Sequence, residues 1–491
     1  MRNRRRGLCL RPQIDPLDER CLLSAGLSLT QVAAAYGLNA ITFGKVNGTG
    51  SGETIALIEA YNDPTIASDL HTFDQAYNLP DPNLTVVNQS GGAVSATAQT
   101  NTGWAEEESL DVETAHAVAP GANILVVEAN SQNMQDLLTA VNTARNTPGV
   151  VAVSMSWGFS ETPNETSYDT YFTTPAGHIG GNGLPGGVTF IASSGDNGSL
   201  AGASYPAASP NVLSVGGTTL LLSSSGAYQS ESAWIDSGGG YSKYEPEPSY
   251  QAKVQSTGYK ATPDVAFDGD PNTGVQIYVT LPTRYGSQGS WITVGGTSLG
   301  SPAWAGIIAI TDQGRALAGE PSLDGSTQTL PALYAAPTAA PTADFNTVAP
   351  ASSSFGGGGG FGYGYSAFGS SSWFGGSGLG ASATTSSSST GANTATGLGS
   401  PNGPALVSDL VASTLTTPLT PVTGSGGGTT PTPTPPPNPV GGGPGRHHRL
   451  THSGSRTVKS GKTHAEAPAR SRHVKQRSVP KKLSTDRSLR G

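Results

Sequence analysis

Short, mainly apolar runs beside glycine turns, alternating with segments of helical period, recur along this chain and leave few folds open. "GETIALIEA" (52–60) is such a run, and "DPTIASDLHTFDQAYNL" after it places Ile66, Leu70, Phe73 and Tyr77 at helical spacing. "NILVVEA" (123–129) is followed by "MQDLLTAVNTARN", again with a helical period, and "GVVAVSMSWG" returns to a strand. "GVTFIASSGDNG" and "NVLSVGGTT" repeat the strand-then-turn plan. A strand apolar on both faces is buried on both, so the alternation predicts an α/β protein with a mostly parallel central sheet flanked by helices. In such sheets reactive side chains gather at the carboxyl ends of the strands, where "SWG", "SSGDNG" and "GGTS" all fall.

Charge divides the chain into unlike parts. Residues 446–491 carry 13 Lys/Arg against Glu466 and Asp486, whereas residues 21–445 carry 7 Lys/Arg against 29 Asp/Glu. An acidic body with so few lysines suits a protein exported to acid surroundings, where protonation relieves self-repulsion; it equally suits solubility alone. Cys9 and Cys21 are the only cysteines, so the body holds no disulfide framework. No run of 18 apolar residues predicts a spanning helix. Residues 1–26 begin with a basic stretch but lack the apolar core of an ordinary signal peptide. The piece "LDERCLLS" within them is similar to a leader of exported bacterial proteins and implies a secreted or cell-surface location. Residues 355–392 are a Gly/Ser-rich insertion, 419–445 a Gly/Pro/Thr-rich linker, and 446–491 a basic tail expected to be disordered. The tail's charge suits an anionic surface polymer; no motif of a nucleic-acid-binding fold accompanies it, so no nucleic-acid partner is expected.

Ser298, in "ITVGGTSLGSPAWAGIIAI", lies where a strand gives way to a helix, as a nucleophile would. The usual base is histidine, but the body has only His71, His116 and His178, none in a helix-start His-Gly turn. Carboxyls are better placed. Glu107 and Asp111 are four apart in "WAEEESLDVETAHAVAPGA", on one face of a helix. Such a pair is ordinarily a solvated face, although Leu110 and Val112 beside Asp111 point to packing. Asp196 sits in the glycine turn "SGDNG", where aspartate ordinarily caps backbone.

"EESLD", "SGDNG" and "GGTSLGSP" occur in the order, and with the residues, of the sedolisin family of serine-carboxyl peptidases (family S53), as do "VSMSWG", "AHAVAPGANILVV" and "ATGLGSPNG". Residues 27–418 resemble that family. The resemblance implies a subtilisin-like fold and an acid-active endopeptidase working on protein or peptide substrates; a monomer is expected. It implies Ser298 as nucleophile, Glu107 as general base, Asp111 as its proton-sharing partner and Asp196 as oxyanion donor. Two neighbouring carboxyls cannot easily both ionise, and Asp196 donates only while protonated. A carboxyl base of low pKa, with these two groups, predicts an acid optimum. Glu59 and Trp157 occupy places where some members extend the proton network, and read equally well as a strand-end acid and a packed indole. The resemblance also implies a calcium site, with Asp344 and Phe345 as one half and Gly391 and Asn393 of "GANTATGLG" as the other. Asn393 stands where the family has a second carboxylate and offers a neutral oxygen instead. The peptidase-like part begins near "LSLTQVAAAYG", after far fewer residues than the propeptide that such enzymes carry. That and the altered calcium site fit a competing reading, a catalytically silent module on a surface or adhesion protein.

Overall fold

The runs read as strands are strands. In the computed structural model they are β1 (Thr54–Ala60), β2 (Leu84–Asn88), β3 (Asn123–Ala129), β4 (Val150–Met155), β5 (Thr189–Ser193) and β6 (Val212–Leu222). Added to these are β7 (Tyr228–Ala233), β8 (Val265–Asp268), the hairpin β9 (Val275–Thr283) and β10 (Gly286–Val294), and the short β11 (Val348–Ala349). The structure describes residues 26–283, 286–335, 343–351 and 393–413. Gly391, the 355–392 insertion, the leader up to residue 25, the linker and the basic tail lie outside the described residues. All described residues belong to a unit spanning 1–423.

The central sheet runs β11-β7-β6-β5-β4-β1-β3-β2, with β8 pairing β6 from beside this path. Its pairs are parallel except β6 with β7. Strand order reverses at β1, which lies between β3 and β4 and opens a crevice at their carboxyl ends. The period-2 alternation of β1 sorts its side chains to two cores. Ile55 and Leu57 join the core containing α3 (Thr102–Val118) and α5 (Gly300–Ala318), which follow α1 (Leu29–Ala35) and α2 (Ile66–Tyr77). Ala56 and Ile58 pack on the opposite face with Leu137, Leu138 and Val141 of α4 (Met134–Asn146). The fold is three layers, as the all-apolar strands require.

Two helices set the site. Asn101 caps α3, its Oδ1 accepting from Gly103 N (3.0 Å) and Trp104 N (3.2 Å). Every residue of α3 from Glu107 to Val118 is buried, as is every residue of α5 from Gly300 to Arg315. Gly306 is the reason they can lie together: a Cβ there would stand 2.6 Å from Val118 Cγ1. Ser301 pins the start of α5 to the sheet, its Oγ within 2.8 Å of Ser154 Oγ and donating to Ile191 O at 3.3 Å.

The core is acidic. Among the described residues 18 buried side chains are Asp or Glu, whereas Lys260 and Arg315 are the only buried Lys or Arg. Lys260 is paired with Asp264 (3.2 Å) and His116 with Asp74 (3.2 Å). Most of the other buried carboxyls meet hydroxyls, amides or one another. Burial pushes Glu53 up to about 7, its Oε1 accepting only from Asn182 Nδ2 (2.6 Å). Burial, then neighbouring carboxyls, pushes Glu165 and Glu245 up to about 8. The folded chain therefore holds protons that the unfolded chain releases above the usual carboxylate range, near 4.5. Their contribution to stability is complete below that value and is lost as pH rises through 7 to 8. Thermal unfolding followed from pH 4 to pH 8 should show Tm falling throughout the upper half of that range. A Tm that rises toward neutrality would contradict a proton-filled core.

Candidate active site

The hairpin strand β10 ends at Val294, and Gly295 and Gly296 turn the chain into a 3-10 turn, Thr297–Leu299, that leads straight into α5. Ser298 is held in that turn, 5% exposed, at the amino end of a long helix whose unpaired N–H groups favour developing negative charge. The Ser298 hydroxyl donates to the carboxylate of Glu107, on the second turn of α3. Ser298, in the turn before α5, and Glu107, on α3, are thus brought together by the two helices that Gly306 allows to touch.

Behind Glu107 the acid pair is extended. Asp111 and Glu59, at the carboxyl end of β1, share a hydrogen bond between their carboxyls, which requires one of the two to be protonated. Ser156, just past β4, donates to Asp111 at 2.9 Å (Oδ1) and 2.8 Å (Oδ2) and lies 3.3 Å from Ser298 O. All three carboxyls are held well above their usual range. For Glu107 the causes are burial, then Asp111, Asp196 and Glu106, opposed by the Ser298 hydroxyl. For Asp111 they are burial and Glu59, opposed by Ser156. For Glu59 they are burial and Glu107. Neighbouring carboxyls cannot easily all ionise, so the protons of the three leave in linked steps. Among the described residues, none of the groups that shift Glu107, Asp111 or Glu59 is a cation.

Asp196 faces the same turn from β5. Its Oδ1 accepts from Thr297 N (2.8 Å) and Thr297 Oγ1 (2.7 Å), while Thr297 Oγ1 accepts from Gly195 N (3.0 Å). Burial raises Asp196 above its usual range against the pull of those bonds. Its other oxygen is turned to Gly296: a Cβ there would meet Asp196 Oδ2 at 2.7 Å. Half-buried, Asp196 stands beside the turn that holds Ser298, where a carboxyl that keeps its proton can donate a hydrogen bond.

The histidines are committed elsewhere. His71 meets Asp81, His116 meets Asp74 and Pro80 O, and His178 Nε2–H donates to Val150 O. Trp157 donates to Ile58 O (3.1 Å) and so braces β1 rather than the Glu59 carboxyl. Ser156 and Thr297 carry no signal in the sequence beyond standing in "SWG" and "GGTS"; only the crossing of strand ends with α3 and α5 gives them their partners.

The residues named for calcium are partly assembled. Asp344 is buried and its carboxyl shares a hydrogen bond with that of Asp409, on the C-terminal helix Gly403–Ala412. Phe345 follows it in a short strand paired with Ser400–Pro401. Asn393 Oδ1 caps its own turn, accepting from Ala395 N (3.0 Å) and Thr396 N (3.2 Å). Among the described residues no group of three or more His, Cys, Asp or Glu side chains is arranged to hold a metal ion.

Residues 51–327 match the family model described as Peptidase_S8, the subtilase family. Sedolisin of Pseudomonas sp. (strain 101) is 31% identical over 291 residues, covering 53% of this chain and 47% of that protein. Kumamolisin of Bacillus sp. (strain MN-32) is 30% identical over 294 residues, covering 54% and 49%. A solved structure of Pseudomonas sedolisin, a serine-carboxyl proteinase complexed with two molecules of pseudo-iodotyrostatin, aligns with a TM-score of 0.59 at 26% identity. It covers 78% of this chain and 97% of that one. The chain thus spans about half the length of the curated relatives it matches, and the subtilisin-like fold expected from the sequence is the fold found.

Gly296 has φ 125° and ψ 164°, a region almost closed to other residues, and its missing Cβ makes room for Asp196. Gly296→Ala should therefore cost about 1–3 kcal/mol in backbone strain alone, before displacement of Asp196. Gly177→Ala, at φ 75° with nothing within 4 Å, is the control. Urea unfolding that finds the two substitutions equal would remove the close approach from this account.

Proposed function

The chain belongs to the subtilase family, and from that premise we propose that it is an acid-active, serine-type endopeptidase in which carboxyls replace the usual histidine. The observation that carries this reading is the Ser298 hydroxyl donating to Glu107, with Asp111 and Glu59 sharing a proton behind it. Ser298 Oγ attacks the scissile carbonyl carbon and its proton passes to Glu107. The carbonyl oxygen, now anionic, accepts from protonated Asp196. As the C–N bond breaks, Glu107 returns the proton to the departing amine, leaving an acyl group on Ser298. Water, deprotonated by the same carboxyl, then releases it. Asp111, held by Ser156 and Glu59, keeps Glu107 from losing its counterbalance when it takes up the proton.

Protein or peptide chains are the proposed substrates, in keeping with the peptidases this chain resembles. Export is the proposed destination, supported by the acidic core and the leader-like segment. No helix among the described residues is long and apolar enough to cross a membrane. Incubation with denatured casein across pH 3–8 should show cleavage in acid that fades toward neutrality. Ser298→Ala and Glu107→Ala should each lower kcat by about 10⁴-fold or more, and Asp196→Ala by about 10²–10³-fold. Absence of cleavage by folded wild-type protein at every acid pH, or full activity at pH 8, would overturn the reading.

Calcium is a separate proposal with a structural role only. The paired carboxyls of Asp344 and Asp409 support it, whereas Asn393 is already used by its own turn. A cation there would tie the strand of Phe345 to the C-terminal helix. Chelation should then lower Tm in the wild type and leave Asp344→Asn unchanged; an unmoved wild-type Tm sinks the idea.

A further inference from the structure

The acid groups do not stop at Glu59. β1 and β3 pair in register so that Glu59 stands directly beside Glu128. Their positions match Ile55, Leu57, Ile124 and Val126 in alternation, so both point to the face that α3 covers. Glu108, next to the base on α3, is 1% exposed and Glu128 3% exposed. Asp63, in the turn that follows β1, completes the group: its backbone N donates to Glu128 Oε1 at 3.2 Å. Thr65 holds one Asp63 oxygen (Oδ1) through its N (2.8 Å) and Oγ1 (2.7 Å). Three further oxygens are buried without a donor: Glu108 Oε1, Glu128 Oε2 and Asp63 Oδ2. Like charges opposite one another on paired strands repel, and a buried carboxylate without a partner is worse. The groups that act on this cluster are all acids: Glu59 from β1, Asp69 from α2 and Asp111 from α3, with Glu107 reached through Glu59. Burial and this mutual repulsion push Glu128 up to about 7 and hold Glu108 well above its usual range.

We propose that Glu108, Glu128 and Asp63 form a proton store behind the catalytic carboxyls, running from Asp111 and Glu59 to the surface turn after β1. These are positioning residues: none touches Ser298, and each acts by setting how many protons Glu59 and Asp111 retain. While the store is full, Asp111 and Glu59 see neutral neighbours. When it empties, the new charges make the catalytic carboxyls give up their last proton less readily, so the store extends the active form toward neutral pH. The same charges weaken the fold. Function and stability are thus coupled to this cluster with opposite signs.

The inference rests on the peptidase reading, and Glu108→Gln and Glu128→Gln separate the two. Each keeps the shape of the side chain and removes its titration. The upper limb of the cleavage-versus-pH profile should move to lower pH by about 1 unit, while Tm at pH 7 rises. If the acids merely burden the fold, both limbs move upward together, which overturns the store; an unmoved cleavage limb overturns it too. Glu165→Gln, remote from the site, should raise Tm at pH 7 and leave the cleavage limb in place. The infrared band of protonated carboxyls in the folded protein at pH 6 needs no catalysis. At that pH Glu108→Gln should lose the intensity of one carboxyl, because Gln is as neutral as the protonated acid it replaces. As pH is raised to 8 its remaining carboxyls should release their protons at lower pH than in the wild type, and an unmoved release overturns the proposal. Wild-type protein that shows the infrared effect but no cleavage keeps the store and removes the peptidase.

Discussion

The constraint on which this structure depends is that its buried carboxyls outnumber its buried cations about nine to one among the described residues. An ionised carboxylate taken out of water without a partner costs several kcal/mol, and a whole domain is stable by only about 5–15 kcal/mol. Two or three such charges would exhaust the margin. Burial accordingly raises most of these carboxyls above their usual range, Glu53, Glu128, Glu165 and Glu245 among them, and protons there do the work that lysine and arginine do elsewhere. Lys260, bonded to the carbonyls of Ala207, Ser209 and Val212 besides Asp264, shows how fully a cation is used where one exists.

The arrangement around Ser298 grows from that constraint. A helix buried on every side cannot keep ionised acids at its centre, so Glu107 and Asp111 are forced into hydrogen bonds with Ser298, Ser156 and Glu59. The strand ends supply the rest. Glu59, Ser156 and Asp196 stand at or just beyond the carboxyl ends of β1, β4 and β5, around the point where strand order reverses. Helix α5 brings Ser298 to them because glycine at position 306 lets it lie against α3. Each part has an ordinary origin in the fold; their meeting makes a hydrogen-bonded chain of acids ending in a hydroxyl.

The sheet was legible because a doubly buried strand is mainly apolar on both faces, as β1, β3, β4 and β5 are apart from a few residues such as Glu59 and Glu128. The helix α3 was legible as a helix but not as a buried one, since "EEESLDVE" has the composition of a solvated face. Composition cannot reveal that the surrounding elements are acidic too. The hairpin β9–β10 escaped because "GSQGSWITV" alternates weakly and most of it is exposed. Asp196 was readable from its glycine turn, but Thr297 as its holder was not, because that bond spans 101 positions in the chain. Asn393 was correctly located as a polar residue in a turn; that its oxygen faces inward to backbone depends on the turn's local geometry.

The in-register neighbours Glu59 and Glu128 have a consequence for anyone wishing to redesign this protein for neutral conditions. Changing the reactive trio alone would leave the interior tuned to acid, and relieving one interior acid alters what its neighbours hold. Because the two strands fix these groups side by side, adaptation to a new pH is a collective change of the lattice of acids, reached through paired replacements across β1, β3 and α3. The proposed pH preference would then belong to the architecture and only be borrowed by Ser298.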